Sequence, residues 1–325
     1  MAVTYIDLQN TTSQVLGCRF SDGDVAVDTP GESSRIERNV LESVAVGILE
    51  PSGTGPVITD NYFDCTDAFI RSVSNNTFGM VVANNHVNQG AWEHSVGSSG
   101  PTSSWMVVSG NHFGDARITL RRVFDLVYAD NNHLGGSANH THTVKIWDCQ
   151  APAITGNVFE AIPDDLVLWV VDSADAVIAN NNFDGNSGDG VLLVEADDGS
   201  RWQHAVIEGN VVGPELGNVT GNLFVIDAPN CIVKGNLFNA AYHSSDDDTY
   251  DVIQLVNDSI LCEGNKIITD SGGGLPRYGI NIIGDDNIVV GNDLRGTYGT
   301  DALNDAGTGT ILVYPSDMTY GDNFT

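Results

Sequence analysis

The pattern apolar-apolar-x-[Gly/Asn/Asp]-Asn-x-apolar recurs ten times along the chain and limits its fold more than any other feature. It reads VITDNYF, VVANNHV, VVSGNHF, YADNNHL, AITGNVF, VIANNNF, VIEGNVV, IVKGNLF, LCEGNKI and IVVGNDL. The shared Asn falls at positions 61, 85, 111, 132, 157, 181, 210, 236, 265 and 292, at spacings of 21 to 29 residues. A fixed motif at a varying interval means that each unit is one coil, with loops of differing length between units.

Three residues before the Asn stand Ile58, Val82, Val108, Ala129, Ile154 and so on to Val289. Two residues after it stand Phe63, Val87, Phe113, Leu134, Phe159 and so on to Leu294. Both columns are apolar in every unit, so both are expected to point inward and stack along one core. The position two before the Asn includes Thr59, Ser109, Asp130, Glu208 and Lys234, as suits an outward strand position. Short β-branched runs broken by Gly-Asn do not follow a helical period. The Asn suits a sharp corner because it tolerates left-handed backbone, and Asn side chains on successive coils can bond into a ladder. Further strands such as VKIWDC, LVLWVVDS, LFVIDA and INIIGDD give each coil another wall.

These motifs resemble the right-handed parallel β-helix, the pectate-lyase-like fold of polysaccharide lyases, pectinases and viral tailspikes, over roughly residues 56–296. The expected fold is all-β, a single right-handed parallel β-helix of about ten coils, roughly 45 Å long at about 4.8 Å per rung. Residues 1–50 read as an attachment and capping segment, 51–296 as the β-helix, and 297–325 as a C-terminal cap or oligomerisation tail. Within the first segment, SRIERNVLESVAVGIL carries the capping-box spacing Ser34-x-x-Glu37. It also sets Ile36, Val40, Leu41 and Val44 on one helical face, which predicts a short N-terminal capping helix. A first strand around VAVGIL is the alternative.

The chain has 43 acidic and 13 basic residues, a formal charge of −30, with Lys only at 145, 234 and 266. Such a surface repels nucleic acid and anionic membranes and excludes both as partners. Abundant acid with almost no Lys fits a protein made for concentrated salt. Cys18, Cys65, Cys149, Cys231 and Cys262 form no C-x-x-C, so neither a zinc knuckle nor a dithiol redox site is expected. The stretch MAVTYIDLQNTTSQVLGC lacks the basic region and apolar core of a signal peptide, and no apolar run reaches transmembrane length.

Three groups of residues stand out as candidates. Four residues before the Asn lies an outward column that is apolar in every unit: Val57, Val81, Val107, Tyr128, Ala153, Val177, Val206, Ile232, Leu261 and Ile288. A long exposed apolar strip marks an interface, and viral proteins of the resembling family imply a homotrimer. His86, His112 and His133 follow the Asn on three consecutive coils and form a candidate metal or structural-cation site, with no cofactor otherwise required. The variable loops carry Trp92, Trp202, Tyr242, Asp246, Asp247 and Asp248, aromatics beside carboxylates suited to sugars.

For catalysis, the pectinase elements Asn-Thr-Asp, Gly-His-Gly and Arg-Ile-Lys are absent. No motif surrounds Arg121, Arg122, Arg201 or Arg277 as a lyase would want, so no catalytic residue is assigned and the reading leans away from an enzyme. The expected function is a virion surface protein (spike, fibre or capsid decoration) of a salt-adapted virus of archaea, contacting other virion proteins and a host surface glycan or glycoprotein. A β-helical polysaccharide lyase or glycoside hydrolase is the first alternative, and an extracellular adhesion module the second.

Overall fold

The computed structural model describes residues 4–7, 13–29, 33–49, 53–72, 77–95, 103–135, 141–163, 166–186, 188, 190–196, 204–213, 221–239, 249–269 and 274–313. They form an all-β parallel solenoid whose strands fall into two stacked sheets. A first wall holds the strands that precede the ladder Asn, such as Val57–Thr59, Val81–Ala83 and Ile232–Lys234. A second wall starts after the Asn (Val158–Glu160, Leu237–Asn239), and a third follows it (Val144–Trp147, Leu166–Val171, Gly190–Glu195, Phe224–Asp227). The second and third walls belong to one sheet, because strand His112–Arg121 runs through both and pairs with each.

The expected N-terminal helix is corrected: among the described residues there is no helix, and that segment is two strands, Arg35–Glu37 and Val40–Leu49. The sequence RIERNVL is itself a copy of the repeat, with Ile36 and Leu41 buried and Asn39 on the ladder. Arg38 takes the left-handed position with φ 56°, where other units have Gly, Asn or Asp, and this hides the match. A short isolated helix is marginal. The same residues gain backbone partners on both sides, from 14–16 to 57–59 in the first wall. The first wall stacks thirteen strands among the described residues, from Gln14–Leu16 to Ile311–Val313.

The ladder runs through Asn39, Asn61, Asn85, Asn111, Asn131, Asn157, Asn181, Asn210, Asn236, Asn265 and Asn292, all buried. From Asn39 to Asn265 each Nδ2 donates to the Oδ1 of the next Asn at 2.9–3.0 Å, and that Oδ1 also accepts the backbone N–H of the same preceding Asn. The second Nδ2 proton goes back to a first-wall carbonyl one coil earlier, as from Asn157 to Tyr128 at 3.0 Å. The left-handed residue is the one before the Asn (Asp60, Asn84, Gly156, Gly235), while the Asn supplies the hydrogen bonds.

In the fourth unit the ladder member is Asn131, so the alignment on Asn132 is off by one. Tyr128 is therefore inward and fully buried, Val127 is the outward residue, and His133 enters the core column in place of Leu134. His133 stacks between Phe113 and Phe159 at centroid distances of 4.8 and 4.7 Å, and Tyr128 Oη lies 2.7 Å from its Nε2. Phe224 and Phe238 meet edge-on at 4.7 Å from the third and second walls.

Candidate functional site

The outer face of the third wall sets Arg121 and Lys145, two of the chain's thirteen basic residues, against two of its tryptophans. Along each strand the buried Leu120, Ile146, Val170, Val194 and Ile226 alternate with outward residues. Parallel pairing then aligns Thr119, Lys145, Trp169 and Leu193 in one row, and Arg121, Trp147, Val171, Glu195 and Asp227 in the next.

The Arg121 guanidinium lies 3.8 Å above the Trp147 ring, and Lys145 Nζ is 3.4 Å from the Trp169 ring centre and 4.9 Å from that of Trp147. These are cation–π distances. Arg121 makes no ion pair among the described residues, and its Nε is buried without a hydrogen-bond partner there. Trp169 Nε1 donates to Glu195 Oε2 at 2.9 Å. His142 packs edge-on against Trp169, with its Nε2 3.0 Å from Thr119 Oγ1. Asp227, register partner of Glu195, is half-buried. Its burial raises the carboxyl pKa, and a 3.4 Å bond from Asn257 Nδ2 only partly offsets this.

Other charged clusters are internally satisfied. The buried Asp251 accepts from Arg277 Nε and a terminal guanidinium nitrogen at 3.0 and 2.8 Å and from Asn281 at 2.7 Å, which marks a structural ion pair. Glu93 lies between Arg71 and Arg117 at 3.4 and 3.3 Å. At the first corner an open groove of about 650 Å³ is lined by Glu208, Lys234, Glu263 and the glycines at 235, 264 and 291. Its one cation is paired with Glu208 at 2.8 Å, so this groove presents net negative charge.

The residues singled out in the sequence are dispersed. His86 and His112 stack at 4.7 Å, with Tyr62 stacked on His86 at 5.3 Å, whereas His133 is in the core. Among the described residues no group of three or more His, Cys, Asp or Glu is placed to hold a metal ion. Trp92 is fully buried, edge-on to Phe69 at 5.9 Å, where no sugar reaches it. Trp202, Tyr242, Asp246, Asp247 and Asp248 lie outside the described residues. Val57, Val81, Val107, Val177, Val206, Ile232, Leu261 and Ile288 stay on the outer side of the first wall, half-buried or exposed, with Val127 in place of Tyr128. Among the described residues no helix is long and apolar enough to cross a membrane. The third-wall cluster was readable as Lys145-x-Trp147 and Trp169, large polar-tipped residues at alternate positions of otherwise apolar strands.

No protein-family model and no curated protein matches the sequence. Among solved structures, the chain is similar to the Agl-KA catalytic domain at TM-score 0.50 and 9 % identity, over 94 % of this chain and 62 % of that one. It therefore spans less than two thirds of the length of that domain. An alginate lyase from Paenibacillus sp. str. FPU-7 aligns at TM-score 0.38 and 13 % identity, over 80 % of this chain and 91 % of that chain. A tailspike protein mutant of E. coli bacteriophage HK620, solved with a pentasaccharide, aligns at 0.31 and 10 %, over 98 % and 73 %. At such identity the first match establishes a shared β-solenoid fold and nothing finer. It also corrects the leaning away from an enzyme: a catalytic domain is built on the same solenoid, so missing short motifs do not argue against catalysis.

Proposed function

We propose that this protein binds and acts on an anionic polysaccharide laid along the outer face of the third wall. The observation that carries the reading is the cluster of Arg121, Trp147, Lys145 and Trp169 on two adjacent outward rows. Stacking on the indoles holds both long cationic side chains extended, so less rotamer freedom is lost when they meet carboxylate or sulfate groups. The indole edges offer apolar contact to sugar C–H faces. In a chain of charge −30, a face presenting unpaired Arg121 selects anions against the general field. The shared fold with a catalytic domain supports a lyase or glycoside hydrolase over a purely structural role.

The acidic, Lys-poor composition supports a setting in concentrated salt, at a virion surface or in the extracellular space. Its natural glycan then belongs to a host surface. The outward strip of the first wall supports self-association with a second copy of the chain.

Calorimetric titration with polygalacturonate, against neutral dextran, tests the reading. Binding of the polyanion should weaken as salt rises and fall by about tenfold or more in Lys145→Ala/Trp147→Ala. No binding, or equal binding of dextran, would overturn it.

A further inference from the structure

Two of the outward indoles carry cations supplied by the chain itself. Trp169 donates its Nε1–H to the Glu195 carboxylate at 2.9 Å and bears Lys145 Nζ on its ring at 3.4 Å. Trp147 bears the Arg121 guanidinium at 3.8 Å. Trp105, on the first wall, repeats half of the Trp169 arrangement. Its Nε1 donates to Asp125 Oδ2 at 3.0 Å, but among the described residues no cation lies over its ring. Trp105 is 68 % exposed, more than any other large apolar residue described.

The backbone holds Trp105 there against its own preference. It stands six residues before the ladder Asn111, in a corner column that is left-handed on other coils at Ser33, Gly55, Gly79, Asp125, Ala151 and Asp175. Those residues are small or tolerate this region, whereas a bulky ring at φ 57° is strained, and such strain collects at binding sites. On the two preceding coils the column is glycine. A Cβ at Gly55 would meet no atom within 4 Å, and one at Gly79 only the Gly55 backbone. No side chain of the column therefore stands beside the ring on that side. On the following coil, Asp125 sits on the adjacent parallel strand, Val123–Ala129, and fixes the indole edge. Asp125 Oδ1 makes no hydrogen bond among the described residues. A carboxylate at the N–H edge pushes electron density into the ring and strengthens its attraction for a cation.

We infer that Trp105 and Asp125 form a subsite for a guanidinium or ammonium side chain on a basic segment of a partner protein. The cation lies on the indole face and pairs with Asp125 Oδ1, as Lys145 lies on Trp169 beside Glu195. One exposed cation–π contact multiplies affinity by only about two- to fivefold, too little to retain a free ammonium ion. A segment with several cations adds the attraction of a chain of charge −30. The inference is independent of the glycan reading, because it concerns another wall and a ligand of opposite charge.

The test uses the full chain labelled with fluorotryptophan, at about 0.1 M salt, where the Debye length is about 10 Å. The fluorine signal of Trp105 is the one missing from Trp105→Phe. Hexa-arginine should shift that signal saturably. Hexaglutamate, neutral dextran, and tetramethylammonium at the same charge concentration should leave it in place. Trp105→Ala keeps the net charge and should still weaken hexa-arginine binding by about two- to fivefold. Asp125→Asn should weaken it at least as much, and more than Glu160→Gln, which removes a charge from an exposed position of the second wall. Thermal unfolding as in wild type shows that the variants are folded.

No binding of hexa-arginine, or binding that leaves the Trp105 signal in place, overturns the inference. So does equal affinity in Trp105→Ala, or equal loss in Asp125→Asn and Glu160→Gln. A shift with dextran would make the ring a sugar platform, and a shift with tetramethylammonium a small-cation site. A shift on raising the protein concentration alone would seat a second copy there. Each of these replaces the basic segment as occupant.

Discussion

His133 shows how one residue can escape a repeat. The string DNNH offers two adjacent asparagines, and only the bonds from Asn111 and to Asn157 decide that Asn131 is the ladder member. The one-residue slip moves the imidazole from the surface to the core, as expected where the side-chain period is two. There it must stay neutral: burial lowers its pKa from 6.5 to about 3, and that of the buried His94 to about 4. An unfolded chain takes up these protons near the ordinary value. The stability is therefore complete above about pH 6.5 and is lost as pH falls toward the folded values, by roughly 5 kcal/mol for His133. His133→Phe alone would orphan the Tyr128 hydroxyl, costing about 1–3 kcal/mol. The double variant His133→Phe/Tyr128→Phe continues the ring stack of Phe113, Phe159 and Phe183 and removes both polar groups. Urea midpoints measured from neutral pH down to about pH 4 should fall less steeply in the double variant than in wild type. An unchanged slope would show that His133 is not the acid-sensitive group.

At the scale of one element, the Asn corner was legible because each coil repeats its apolar columns at fixed offsets from it. Which residue bends and which bonds was not, since Gly, Asn and Asp all tolerate the left-handed region. The unit at Asn39 is masked by Arg38, and the Trp147–Trp169 face lies on strands whose apolar/outward alternation is that of every other coil. The ladder makes a graded prediction. Asn157→Ala removes an acceptor used by both the backbone N–H and the Nδ2 of Asn131, and a donor to Asn181 and Tyr128. Several buried partners are orphaned at once, so the expected loss is about 3 kcal/mol or more. Asn292, last of the ladder, serves Asn265 and the Cys262 carbonyl but has no following Asn among the described residues. Asn292→Ala should therefore cost less, and equal denaturation midpoints for the two variants would count against a continuous ladder.

For the whole molecule, charge decides which surfaces can meet. A rod of formal charge −30 repels its own kind over most faces, most strongly at low salt. The first wall is the exception. From Val57 to Ala179 its outward positions are mainly Val, Thr, Ala and Ser, joined by Trp105 and by one charge, Asp125, which accepts a hydrogen bond from the Trp105 indole at 3.0 Å, and eight of the eleven exposed large apolar side chains among the described residues lie on its sheet. These include Trp105, Val127, Val177, Ile288 and Ile311. Two copies can bring these strips together while opposing few like charges, provided salt screens Asp125 and the remaining surface. At roughly 1 M salt the Debye length is about 3 Å, against about 30 Å at 0.01 M. Sedimentation should therefore give an oligomer in molar NaCl that dissociates as salt is lowered. Val177→Asp/Val206→Asp, which charges adjacent rungs of the strip, should stay monomeric at both extremes. Trp169→Ala, on the third wall, should assemble as wild type and so separates the interface from the glycan face. A monomer in molar salt, or an assembled Val177→Asp/Val206→Asp variant, would remove the first wall as the contact between copies.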